Sequence, residues 1–118
     1  MRLMRITSAA AMLLAGSLLA GARADDTVTG EVIDLSCYLH HPETSHGESH
    51  KKCAETCAKK GLPMGLLTDD KQVILLLEDH ENPKGYATAL EGAAKTITVE
   101  GTKVNQGGMA GIVVESVK

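Results

Sequence analysis

The stretch Thr96-Ile97-Thr98-Val99-Glu100-Gly101-Thr102-Lys103-Val104-Asn105-Gln106-Gly107-Gly108-Met109-Ala110-Gly111-Ile112-Val113-Val114-Glu115-Ser116-Val117 decides the fold. Thr96 to Val99, continued by Thr102 and Val104 beyond Gly101, alternate polar and apolar as a half-buried strand does. Ile112, Val113, Val114 and Val117 form the partner strand, and Asn105-Gln106-Gly107-Gly108 supplies the turn between them. Upstream, Glu78 to Gly85 is polar and contains Asn82-Pro83. Proline suits the first turn of a helix, so a short helix is expected from Pro83 through Ala94, with Leu90 and the alanines turned to the core. Before it, Pro63 to Leu67, the polar turn Thr68-Asp69-Asp70-Lys71 and the apolar run Val73 to Leu77 read as a hairpin.

Nearer the start, Thr27 to Leu35 reads as a strand that delivers Ser36 and Cys37 at its end. A loop composition follows from Leu39 to Gly47. Ala, Glu and Lys then dominate from Glu48 to Lys60, which predicts a helix ended by Gly61. The order strand, helix, strand, strand, helix, strand, strand predicts a mainly β chain with two helices. The expected form is a five-stranded OB-like antiparallel barrel with a Cys/His-bearing helix inserted after strand 1. A small α+β sandwich accommodates the same order. With Tyr38 and Tyr86 the only aromatic residues, the core must come from Val, Ile, Leu and Ala.

The N-terminus has a basic start (Met1, Arg2, Arg5), an uncharged apolar stretch from Ala9 to Ala20, and Ala22-Arg23-Ala24. This is the pattern of a signal peptide cleaved after Ala24, and the apolar run is short of the roughly 20 residues that span a bilayer. Residues 1–24 are therefore expected to be a signal peptide and residues 25–118 a single OB-like domain, delivered to the periplasm without stable membrane insertion. Residues 25–118 hold nine lysines, no arginine and fifteen carboxylates, a formal charge of −6. That balance disfavours nucleic acid, whose binding rests on cations against phosphates.

Three segments, Gly30-Glu31-Val32-Ile33-Asp34-Leu35-Ser36-Cys37-Tyr38, Gly61-Leu62-Pro63-Met64-Gly65-Leu66-Leu67 and Lys95-Thr96-Ile97-Thr98-Val99-Glu100-Gly101-Thr102, resemble small secreted bacterial OB-fold-like proteins. The resemblance covers nearly all of residues 25–118. It implies the fold and the export, and assigns neither an activity nor a site residue.

The residues that carry chemistry are concentrated in His46-Gly47-Glu48-Ser49-His50-Lys51-Lys52-Cys53-Ala54-Glu55-Thr56-Cys57. Residues three or four apart share a helix face, so His50, Cys53 and Cys57 form a stripe, which His46 continues if the helix runs back through Gly47. Donors in a line cannot surround an ion. Cys37, at the end of the first strand and followed by His40 and His41, is the candidate to close the shell. Cys37, Cys53 and Cys57 with one histidine, His50 before His46, His40 or His41, make a soft donor set for a copper ion, with a zinc ion as the alternative. Met64 and Met109 offer extra thioethers for copper. The spacing lacks the C-x-x-C-H of c-type haem and the usual ligand sets of iron–sulfur clusters.

The expected function is that of a non-enzymatic periplasmic metal-binding protein, for sequestration, sensing or delivery, with the metal ion and a periplasmic protein as partners. Two alternatives use the same cysteines. In a thiol–disulfide redox protein Cys53 or Cys57 attacks and Cys37 resolves. In a ligand-binding OB module the cysteines are structural, with a disulfide from Cys37 to Cys53 or Cys57. A Cys53–Cys57 bond is geometrically poor along a helix.

Overall fold

A computed structural model describes residues 26–118. The signal peptide and the cleavage after Ala24 that the sequence leads one to expect lie outside the described residues. The elements are β1 (Asp26–Asp34), α1 (Leu35–His40), a 3-10 turn (Glu48–His50), α2 (Lys51–Lys59), β2 (Met64–Leu67), β3 (Val73–Glu78), α3 (Lys84–Leu90), β4 (Thr96–Gln106) and β5 (Met109–Val117). The strands close into a barrel in the order β1-β2-β3-β5-β4. This is the OB-like barrel that the strand order predicts, with the cysteine-bearing helix after the first strand.

Four of the five pairings are antiparallel, and β3 with β5 is parallel. The reason is topological. The α3 connection carries the chain across the barrel to place β4 beside β1, and β5 turns back from β4 into the gap beside β3. β1 is paired on one side with β2 from Glu31↔Leu67 to Asp34↔Met64 and on the other with β4 from Asp26↔Gly101 to Glu31↔Thr96.

The β4–β5 hairpin turns at Gly107 and Gly108, with φ of 58° and 79°. Consecutive positive φ values suit the two-residue turn that matches the twist of its strands, so the turn is tighter than Asn105 to Gly108. A register shift between Glu100 and Gly101 leaves Glu115 of β5 unpaired as the extra residue of a bulge, and a side chain at Gly101 would run into the Val113 carbonyl.

The interior is aliphatic. Val32, Leu66, Val99, Ile112 and Val114 are fully buried in one cluster, joined by Ala54 and Cys57 from α2 and by Ala89 from α3. Three local features differ from the sequence reading. α1 is an additional short helix, α3 ends at Leu90 rather than Ala94, and the first turn before α2 is 3-10. Among the described residues, no helix is long and apolar enough to cross a membrane.

Candidate metal centre

The site is built where β1 runs out. Asp34, the last residue of β1, keeps an extended conformation (φ −84°, ψ 132°) and caps α1, its Oδ1 accepting the Cys37 N–H at 2.8 Å. Aspartate is a preferred N-cap because its oxygen satisfies an amide that the first turn leaves unpaired. The cap starts a helix of a single turn and a half, which ends with the His41 N–H on the Cys37 carbonyl, just before Pro42. Cys37 therefore projects from a helix rather than from a strand end.

α2 supplies the other two thiols. Its inner face buries Ala54 and Cys57 against the barrel, while Cys53, one turn earlier, is exposed. The connection is tied down by the Gly47 N–H, which donates to Glu31 Oε2 at 2.7 Å, and by the Ser45 N–H on the His41 carbonyl at 3.1 Å.

The result is a four-residue group. One donor atom each from Asp34, Cys37, Cys53 and Cys57 lies within 4.8 Å of every other. Cys37 Sγ and Cys53 Sγ are 3.9 Å apart. Asp34 is fully buried, and its Oδ2 accepts from His50 Nε2 at 2.8 Å. The structure thus gathers the three cysteines named from sequence and adds Asp34, which the sequence reading leaves inside the first strand.

The histidines occupy other places. His50 stands outside the donor group and holds the Asp34 carboxylate. His46 precedes Gly47, whose φ of 77° breaks any continuation of the helix, and its ring meets Tyr38 edge-on. His40 and His41 are exposed at the end of α1 with their rings 6.2 Å apart. Met64 is fully buried in the barrel core, and Met109 is 62% exposed at the hairpin tip.

Proton affinities follow from this geometry. Burial alone would raise the Asp34 carboxyl, but hydrogen bonds from the Cys37 thiol and amide, together with His50, outweigh it and hold Asp34 below its ordinary value. The hydrogen bond to that carboxylate, then burial and the neighbouring Cys53, push the Cys37 thiol up to about 12. Burial first, then the Asp34 charge and Cys53, raise Cys57 as well. Negative charge repels negative charge here, and a cation at the centre of the group would reverse the sign of that interaction.

A local signal for Asp34 does exist in the sequence. An aspartate directly before a Leu-Ser-Cys-Tyr run, three positions ahead of the cysteine, is a helix N-cap pattern, and a cap on Cys37 is necessarily close to it. No known protein family, no curated protein and no solved structure matches this chain.

Proposed function

We propose that this is an exported metal-binding protein that holds one thiophilic ion through Cys37, Cys53 and Cys57. The observation that carries the reading is the convergence of three sulphurs and a buried carboxylate within 4.8 Å from a strand end and two helices. A zinc–sulphur bond of about 2.3 Å sets two sulphurs of a tetrahedral shell about 3.8 Å apart. Cys37 and Cys53 stand at 3.9 Å. With Asp34 as the fourth donor the shell is closed, which suits zinc and a structural or storage role rather than an open catalytic one.

Copper(I) is the second reading, and a specific observation favours it. Both Asp34 oxygens already accept N–H donors, from Cys37 and from His50. If the carboxylate keeps those partners, three sulphurs remain, a soft set that suits copper(I). A thiol redox protein is less well supported, since a reactive thiolate needs a lowered pKa and both Cys37 and Cys57 are shifted upward. Export is supported by the leader pattern of residues 1–24.

Native mass spectrometry of protein purified without chelator tests the reading. One ion per chain is expected, lost in the Cys53→Ser and Cys57→Ser variants. Asp34→Asn separates the ions, weakening zinc at least tenfold while leaving copper(I) nearly unchanged. A chain that takes up neither ion in the reduced state refutes the proposal, and fractionation of cells expressing the full chain tests the export.

A further inference from the structure

We infer that the site is gated by thiol oxidation: a disulfide between Cys37 and Cys53 forms in exchange for the bound ion. The inference rests on the metal-binding reading and adds how the ion leaves.

Three placements single out this pair. The two sulphurs come from different helices, α1 and α2, and approach to 3.9 Å, so side-chain rotation has only about 2 Å to close to reach a bond of about 2.05 Å. Cys53 is exposed and Cys37 partly so, whereas Cys57 is buried in the core cluster. A soluble disulfide therefore meets Cys53 first. Cys57 is one helical turn from Cys53, an arrangement whose side chains run along the axis instead of toward each other.

The exchange balances with a small-molecule disulfide as oxidant. The Cys53 thiolate attacks one sulphur of the reagent, whose S–S bond breaks and releases one thiolate. The Cys37 sulphur, which is a thiolate while it ligates the ion, then attacks Cys53 Sγ, forming the internal bond and expelling the second thiolate. Two electrons pass from the protein to the reagent, and the ion loses two ligands. What remains is Cys57 and Asp34, and the latter is held by the Cys37 N–H and by His50. Two donors do not complete a shell, so the ion departs. Bound metal and disulfide are thus alternative states of the same atoms.

The test uses the reduced, zinc-loaded protein expressed from the full chain, treated with glutathione disulfide in the presence of a chromogenic zinc indicator. One equivalent of zinc is expected to appear as two of the three thiols disappear. Peptide mapping should link Cys37 to Cys53, and dithiothreitol should restore both thiols and zinc uptake. A bridge that includes Cys57, a glutathione adduct that persists on Cys53, or zinc retained after the internal bond has formed overturns the gate while leaving metal binding intact. Reduced protein that takes up neither zinc nor copper(I) removes the metal reading and the gate with it. Because the mapping is done on the unsubstituted chain, its outcome does not depend on a variant that folds.

Discussion

Asp34 ends a strand, caps a helix and contributes an oxygen to the thiol group, all with no exposed surface. Its removal should therefore show in two measurements. Asp34→Ala deletes the cap and leaves the Cys37 amide and His50 without their acceptor, for a loss of about 2 kcal/mol or more in urea unfolding of the metal-free protein. His50→Ala leaves the cap and removes the second donor to the carboxylate. It should weaken zinc about tenfold by loosening a supporting contact, with little change in the far-ultraviolet spectrum. The same residues set the response to pH. Cys37 is raised from 9.0 to about 12 in the folded protein, so the native state holds that proton more tightly. Its contribution is complete below about pH 9 and is lost as pH climbs toward 12. Asp34 is lowered, so its contribution is present above its ordinary value of 3.8 and lost as pH falls through the folded value. In reduced, chelated protein, the unfolding free energy should fall relative to Cys37→Ser as pH rises from 9 to 12. A parallel decline in both proteins would remove Cys37 as the cause.

At the scale of elements, the strands are legible in the sequence, and α1 is not. β4 shows its period of two in Thr96 to Val99, β5 shows the apolar run Ile112 to Val114, and two glycines mark their turn. α1 has only six residues and no buried one, so no apolar stripe announces it, and the cap at Asp34 is its sole local signal. The three cysteines stand out as a set because helical spacing and chain proximity are local properties. The placement of His50 on Asp34 does not, since it depends on how the connection between β1 and α2 folds back, which Gly47 and its bond to Glu31 determine. The hairpin offers a test independent of the metal. Gly101→Ala forces a side chain against the Val113 carbonyl opposite the bulge in β5, and thermal unfolding should report a loss of about 2 kcal/mol, with thiol reactivity unchanged in the surviving native fraction. The internal disulfide should act in the opposite sense. It would close a loop spanning sixteen positions, and denaturant unfolding of the oxidised protein should show up to about 3 kcal/mol of stabilisation over the reduced, metal-free form.

Across the whole molecule, the donor group sits beside the aliphatic interior and is not its foundation. The fully buried cluster of Val32, Leu66, Val99, Ile112 and Val114 belongs to the strands, so removal of metal should lower the unfolding temperature without unfolding the barrel. At a free ion concentration a hundred times the dissociation constant, binding adds about 2.7 kcal/mol. Hydrogen exchange should show the loss of protection confined to α1 and α2 on chelation, while β1, β4 and β5 stay protected. Loss of protection throughout would mean that the ion is a folding cofactor. The two ends of this segment, finally, are register partners, since Asp34 lies opposite Met64 in the β1–β2 pair. Residues 35–63 thus leave and re-enter the barrel at one rung of a ladder, as the loop of a very long hairpin. Spliced between two antiparallel strands of an unrelated scaffold, such an insert should keep its three sulphurs together only where the scaffold also supplies the aspartate, the Glu31 acceptor for the Gly47 amide and an apolar face for Ala54 and Cys57. Replaced by a two-residue turn, it leaves behind a minimal barrel without the three sulphurs.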